Sequence, residues 1–517
     1  MLTSINNNSF FCLYPRLKLS RYVFFPQYML LLLILQACGQ QSSRGPLEAS
    51  SGKLAAHALT PAGTEATDPY FSRDHLGNPV LCWTEKQQGS GQYILKYAVF
   101  DTSQAKFGPA IAVGPSRGTK TSAESANKVA FKQDGTVLAL FGKRFDDPEN
   151  RFAGAIQYSV SRDRGTTWSE PRYLHSDTSH QYGRGFFDVA ILPDGEAGAV
   201  WLDGRFGEAD TGSALFFSRT VPGGGFGPDK MIGPSTCECC RTDILVDSAG
   251  VIHLAYRDIL YPPARMGRQV RDMVYSCSRD RGRTFLPPIR ISADNWEVEG
   301  CPHSGPSLAV NAAGVRAVWF TAGKGTAGGN RRVGAGRTAR ENAGSSLANA
   351  SAGVYQAALA HTGGKDHSFS QRRLLSTEAR HPQLISLPGG GTAIAWDEVI
   401  SSTTGTARET KGSKPGEPAS ADHRKQAAHG GHAAHSPQAA GSTHPGHGNH
   451  ASAAVSTIVL QLTAPDANTE IIHLTDGKNP AHHPVLISFA PGKLLLAWVE
   501  EENGLPGIRY SFIEVPR

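Results

Sequence analysis

Phe187-Asp188-Val189-Ala190-Ile191, a glycine at 195, then Val200-Trp201: reading this stretch decides the fold. A short apolar run, a glycine turn and a second apolar run ending in an aromatic residue describe two antiparallel strands. The same unit occurs upstream as Asp68-Pro-Tyr-Phe, Gly77 and Val80-Leu-Cys-Trp83, and as Asn127-Lys-Val-Ala-Phe, Gly135 and Leu140-Phe141. Downstream it returns as Asp243-Ile-Leu-Val, Gly250 and Ala255-Tyr256, and as Pro306-Ser-Leu-Ala-Val, Gly314 and Val318-Trp319. Two further copies are Pro382-Gln-Leu-Ile, Gly391 and Ala395-Trp396, then Pro484-Val-Leu-Ile, Gly492 and Ala497-Trp498. The early copies are spaced by roughly 55 to 65 residues, enough for four short strands and their loops.

The spacing predicts an all-β chain, a β-propeller of four-stranded blades whose first strands line a central channel. Seven copies predict seven blades; six follows if one unit is degenerate. After the last hairpin only Gly507-Ile-Arg-Tyr-Ser-Phe-Ile-Glu-Val515 remains, which is one strand short of a blade. The segment Lys53–Leu59 is placed to supply that strand and close the ring, leaving no open edge. The 57 glycines and 32 prolines among 517 residues fit many strands and turns. The net charge of +6 is spread without a dense basic stripe, so nucleic acid is not an expected partner.

Two turns carry a family resemblance. Ser161-Arg-Asp163-Arg-Gly165-Thr-Thr167-Trp168 and Ser278-Arg-Asp280-Arg-Gly282-Arg-Thr284-Phe285 both resemble the Asp-box motif of sialidase-like BNR-repeat propellers. The aspartate is expected to accept backbone N–H groups, the glycine to take positive φ, and the aromatic to plug between the third and fourth strands. The resemblance implies a propeller, six-bladed in most sialidases, and raises exo-sialidase or other glycan-acting chemistry. It also implies an Arg-Ile-Pro motif near the start of the propeller. This chain has none, and the corresponding region runs Ala66-Thr-Asp-Pro-Tyr-Phe-Ser-Arg73. Arg144, Arg205, Arg257 and Arg241 are the candidate carboxylate-gripping residues in that reading, because guanidinium forks match carboxylates. The alternative is that each stiffens its loop by pairing with a nearby acid such as Asp203 or Asp258.

The N-terminus is read as a targeting segment. Arg16, Lys18 and Arg21 precede an apolar run that ends in Leu35-Gln-Ala-Cys38, which resembles a bacterial lipobox. That resemblance implies a signal peptide over residues 1–37, lipidation of Cys38 and a tether over 38–60. The propeller then occupies 53–517, anchored in the cell envelope, and Gly39 after the cysteine favours the outer membrane. Low-complexity inserts are expected at about 322–351 and 401–452.

Blade counting gathers cysteine and histidine on one face. Cys237-Glu-Cys239-Cys240 and Cys301-Pro-His303 precede lead strands, as do His381 and His482-His483, each followed by proline. The insert at 401–452 emerges on the same side and carries His423, His429, His432, His435, His444, His447 and His450. The expectation is a soft-metal site built from Cys237, Cys239, Cys240, Cys301, His303, His381 and His483, with the His-rich loop as a capture arm. Copper is preferred over zinc, because no zinc-ribbon spacing is present. In an oxidising compartment the four loop cysteines could instead be bridged. A scaffold that docks another envelope protein is the third reading.

Overall fold

The computed structural model describes residues 55–206, 212–261, 269–297, 303–323, 352–360, 368–400 and 455–515. Cys38, the segment 1–37 read above as a targeting signal, Cys301 and the His-rich insert lie outside the described residues. The described chain is all-β, with three short 3-10 turns and no helix long and apolar enough to cross a membrane.

The strands form successive antiparallel meanders, named here by their first residue. The Ala66 sheet contains Ala66–Arg73, Pro79–Lys86 and Tyr93–Asp101, with Lys106–Phe107 and Ile111–Ala112 pairing against the last of these. The Lys128 sheet runs Lys128–Phe131, Val137–Arg144, Gly154–Ser161 and Arg172–Tyr173. An eight-stranded sheet follows. Its Arg184 half ends at Lys230–Thr236 and its Asp243 half begins at Asp243–Val246; the halves meet at the single pair Thr236–Asp258. The Ser307 and Ala379 sheets are four-stranded meanders as well.

The Ala481 sheet is built from both ends of the chain. Ala481–Ala490, Lys493–Glu502 and Leu505–Glu514 are joined by His57–Ala58, which pairs antiparallel with Tyr510 and Arg509. The expected N-terminal partner is therefore present, but as two residues rather than the seven read from the sequence. Leu59 N–H to Ile508 O, and Ile508 N–H to Thr60 Oγ1, extend the pairing.

Each lead strand is joined to its partner by a tight turn. In the Ala66 sheet Asp74 Oδ1 accepts the Leu76 and Asn78 N–H groups, while Gly77 takes φ +86°. Asp247 and Gly250 repeat the device in the Asp243 half. The acid satisfies turn amides and the glycine supplies a backbone conformation costly for other residues.

Packing between sheets is continuous along the chain. Tyr97 and Leu95 of the Ala66 sheet share a core with Phe131 and Phe141 of the Lys128 sheet. Ile156 and Tyr158 then meet Phe187 and Trp201, and Leu215 and Phe217 meet Leu254 and Tyr256. Met273 and Tyr275 pack on Leu308 and Trp319; Val318 and Phe320 pack on Ile394 and Trp396. Leu460 meets Leu496 and Trp498, and Leu495 and Tyr510 of the Ala481 sheet meet Leu81 and Trp83 of the Ala66 sheet. The second strands are buried on both faces; all seven residues of Ala197–Asp203 are buried. Four of the five repeated tryptophans satisfy their indole N–H on an acid two residues later, Trp83 on Glu85, Trp201 on Asp203, Trp396 on Glu398 and Trp498 on Glu500, whereas Trp319 donates to Asp294. The i, i+2 spacing puts ring and acid on one face of the strand.

The two Asp-box turns have the expected hydrogen bonds. Asp163 Oδ1 accepts Thr167 N–H at 2.8 Å and Asp280 Oδ1 accepts Thr284 N–H at 2.8 Å. Gly165 and Gly282 have φ of +91° and +80°. The aromatic residues sit differently from the expectation. Trp168 packs into the core shared with the preceding Ala66 sheet, and Phe285 into the core shared with the Arg184 half. A Cβ on Gly165 would lie 2.2 Å from Tyr97 Oη, so the turn presses on the neighbouring sheet and no side chain fits at that position.

Candidate functional site

The lead strands of all the meanders line one cavity of about 170 Å³. Tyr70, Lys128, Asp188, Asp243, Leu308 and Leu384 face it from successive sheets. Near the start of four of these strands, inside the strand itself, the backbone repeats an unusual kink. Asp68, Phe186, His381 and His483 have φ of +58°, +51°, +46° and +52°. Each coincides with a shift in strand register, between Thr67 and Tyr70, Gly185 and Asp188, Arg380 and Gln383, and His482 and Val485. A bulge of this kind redirects a side chain at a cost in backbone strain.

The floor of the cavity is a charged network. Tyr70 Oη donates to Asp188 Oδ1 at 3.0 Å, and Ile244 N–H donates to Asp188 Oδ2 at 3.2 Å. Lys128 Nζ donates to the Ala126 and Phe187 carbonyls at 2.9 and 2.8 Å, lies 4.0 Å from Asp188, and sits over the Tyr70 and Phe187 rings. Burial pushes Asp68 up to about 6. Burial and the Asp188 charge raise Asp243 to about 7, and burial lowers Lys128 to about 8. Taking charge out of water disfavours the ionised form of each.

Above this floor lies a cluster of metal-ligating type. Ligand atoms of Glu124, His381 and His483 lie within 4.8 Å of one another. Each imidazole has a ring nitrogen occupied. His381 Nδ1 is 2.8 Å from Asp397 Oδ1, and His483 Nδ1 is 2.7 Å from His482 Nδ1. Asp397 Oδ1 also accepts the His483 N–H at 3.2 Å, and the two rings stack at 3.9 Å. Burial lowers His381, but the Asp397 charge and hydrogen bond outweigh it and the net shift is upward. His483 is driven well below the ordinary imidazole range by burial and by the neighbouring His381, His482 and Arg241 charges. Glu124 is held by Arg241 at 3.1 Å and by the Gly305 N–H at 2.9 Å, while Arg241 also donates to the Pro306 and Pro382 carbonyls. Two imidazoles and a carboxylate suit a borderline divalent ion.

The cysteines form a separate pocket next to Arg241. Cys237, Cys239 and Cys240 are each less than 5% exposed. Cys237 Sγ lies 3.5 Å from both Cys239 Sγ and Cys240 Sγ. Cys239 is disulfide-bonded, whereas Cys237 and Cys240 are free thiols. Arg271 Nη1 is 3.3 Å from Cys237 Sγ, and Arg257 Nε is 3.3 Å from Cys240 Sγ. The structure thus gathers three of the predicted cysteines and two of the predicted histidines, in two neighbouring groups. His303 is exposed, with φ +45°. His429, His432, His435, His444 and His447 lie outside the described residues, as does Cys301.

Three of the four candidate arginines, Arg205, Arg241 and Arg257, are engaged within the fold. Arg205 pairs with Asp203 and Asp229. Arg257 does not pair with Asp258; it is 1% exposed and donates to the carbonyls of Arg271, Ser304 and Phe320. Arg144 is exposed at a strand end. Sequence reasoning missed Glu124, Asp397 and the Lys128–Asp188 pair. Asp397 follows Trp396 directly within the second strand Thr392–Ile400, a position where the repeat pattern could have drawn attention to it.

The sequence matches no family model and no curated protein. Solved structures with a similar chain path include the polysaccharide lyase Uly1, at 10% identity and a TM-score of 0.46, covering 92% of this chain and 94% of that one. A Fusarium graminearum α-L-arabinofuranosidase has 12% identity and a TM-score of 0.39, covering 75% and 92%. The Trypanosoma rangeli sialidase has 9% identity and a TM-score of 0.39, covering 88% and 59%. No activity is transferred from likenesses of this degree.

Proposed function

We propose that this chain is a seven-bladed β-propeller that captures a transition-metal ion, copper in preference to zinc, at one mouth of its channel. The observation that carries the reading is the convergence of Glu124, His381 and His483 within 4.8 Å, with Asp397 and His482 on the second nitrogens of the imidazoles. A carboxylate on the far nitrogen fixes the ring and strengthens the near one as a ligand. The blade count is supported by the seven shared cores, which link each meander to the next and the last to the first. The lipobox-like Leu35-Gln-Ala-Cys38 supports lipid anchoring in the envelope, and the His-rich 401–452 segment supports a capture arm beside the same mouth.

The test is competition of Cu(II) and Zn(II) against a chelator, using protein purified without chelators. The expected result is a tightest site of one ion per chain that His381→Ala, His483→Ala and Glu124→Gln each weaken by at least about tenfold. Retention of that site in the His381→Ala/His483→Ala double variant would overturn the reading.

A second reading is favoured by the His381–Asp397 pair near Arg241, which itself lines the cavity. An oriented imidazole next to a guanidinium is a basis for acid–base chemistry on an acidic glycan. Release of product from sialosides or uronic-acid polysaccharides, abolished by His381→Ala, supports it; no turnover across such a panel excludes it.

A further inference from the structure

The cysteine pocket beside Arg241 has a donor set unlike that of Glu124, His381 and His483. We propose that Cys237 and Cys240 form a second, independent metal site, which holds a soft univalent ion, Cu(I), between two thiolates.

The ligands available decide the ion. Cys237 and Cys240 stand in a C-x-x-C relation in the turn between Lys230–Thr236 and Asp243–Val246. Both are free thiols, 1% and 2% exposed, with their sulfurs 3.5 Å apart. Cys239 is disulfide-bonded and offers no thiolate. Among the described residues no imidazole or carboxylate oxygen lies within 4.8 Å of both sulfurs. Two sulfurs do not make the four-ligand shell that zinc takes, nor the nitrogen and oxygen shell that suits Cu(II). Thiolates select Cu(I), and an ion of single charge is content with few ligands. Burial of both sulfurs keeps water from enlarging the shell. With metal–sulfur bonds of about 2.3 Å the pair closes on one ion, and a linear arrangement spreads the sulfurs by roughly 1 Å, a movement a turn accommodates.

The surroundings carry the charge that such a site needs. Arg271 Nη1 donates to Cys237 Sγ and Arg257 Nε to Cys240 Sγ, both at 3.3 Å. Arg271 also meets Glu238 at 2.9 Å. Arg257 is buried, and its other hydrogen-bond partners are the Arg271, Ser304 and Phe320 carbonyls. A buried guanidinium needs an anion, and among the described residues the group next to Arg257 that can become one is the Cys240 sulfur. Two bare thiolates at this separation repel each other, and a cation between them lifts the repulsion. Two thiolates and one Cu(I) leave a single net negative charge, which the Arg257 guanidinium offsets. Donors to ligating atoms of this kind orient the ligands and strengthen a metal site.

The experiment is anaerobic titration of the full chain with Cu(I) against the chelator bicinchoninate, with ascorbate as reductant because it leaves disulfides intact, followed by X-ray absorption at one ion per chain. The expected result is one Cu(I) bound by two sulfurs without nitrogen or oxygen, left in place by excess Zn(II). The His381→Ala/His483→Ala double variant should keep this site, so its fate is separate from that of capture at the channel mouth. Cys237→Ser and Cys240→Ser should each weaken it by at least about tenfold. Failure to hold Cu(I) against the chelator, a first shell containing nitrogen or oxygen, displacement by Zn(II), or unchanged affinity in both serine variants overturns the proposal. The ligand shell of the wild-type chain decides the matter even where a variant fails to fold.

Discussion

Asp68 offers a quantitative test of the charged cavity floor, because its carboxyl is buried and raised from 3.8 to about 6. A raised acid binds its proton more tightly folded than unfolded. Its stabilising contribution is therefore fully present below the unfolded value of 3.8 and is lost as pH rises through about 6. Applying 1.36 kcal/mol per unit, ionisation of this one residue removes about 2 kcal/mol between pH 4 and pH 8. Asp68→Asn is the informative change, since asparagine tolerates the φ of +58° and keeps nearly the same shape. The variant keeps an acceptor for the Ser122 N–H, now 2.8 Å from Asp68 Oδ2, but weakens the contact with Thr67 Oγ1 at 3.1 Å. That loss costs about 1 kcal/mol at every pH. Asp68→Asn should thus be about 1 kcal/mol less stable than wild type at pH 4 and about 1 kcal/mol more stable at pH 8. The assay is urea denaturation followed by tryptophan fluorescence at pH 4, 5, 6, 7 and 8. Groups remote from Asp68, such as Asp258, cancel in the difference, whereas Lys128, whose charged form the Asp68 carboxylate favours, moves with the substitution. A difference that stays constant within about 0.5 kcal/mol across that range refutes the account of burial as the cause.

Two further outcomes are expected. Asp397→Asn should weaken the tightest metal site by about 10- to 100-fold in chelator competition while leaving the melting profile nearly unchanged, because it alters a ligand's partner and not a ligand. Arg257→Met should destabilise the fold by on the order of 3–5 kcal/mol in denaturant titration, since the Arg271, Ser304 and Phe320 carbonyls are left buried without their donor; a loss below about 1 kcal/mol would show that those carbonyls find other partners.

The hairpin pattern was legible because it rests on local physics. The Asp–Gly turns, the doubly buried second strands and the tryptophans at their ends each leave a mark within a few residues, as Asp194-Gly195 and Trp201 illustrate. The same counting placed Cys237, Cys239 and Cys240 before the Asp243 lead strand, but His381 and His483 fall inside theirs, Ala379–Ser386 and Ala481–Ala490, because pairing begins ahead of the prolines. The partners of these residues were not legible, because they come from other sheets. Glu124 reaches the two histidines from a 3-10 turn between the first two sheets, 257 residues before His381 by number. The left-handed kink at Asp68, Phe186, His381 and His483 is shared by residues with no common chemistry, so no residue-type signal announces it. Arginine roles were misjudged in one respect for a related reason. Arg257 is satisfied by backbone carbonyls, which the sequence does not display, and not by the neighbouring Asp258.

The last sheet waits on the strand His57–Ala58, whose neighbour Thr60 bonds to Ile508 across 448 residues. Contacts of such sequence separation form late, because the whole intervening loop must first be drawn together. Synthesis from the N-terminus therefore releases the first strand long before its partner exists. Until Leu505–Glu514 arrives, Lys493–Glu502 presents an unpaired edge and the Leu81–Trp83 face has no cover. Once these strands pair, a proteolytic cut just after Thr60 reopens the edge of Leu505–Glu514.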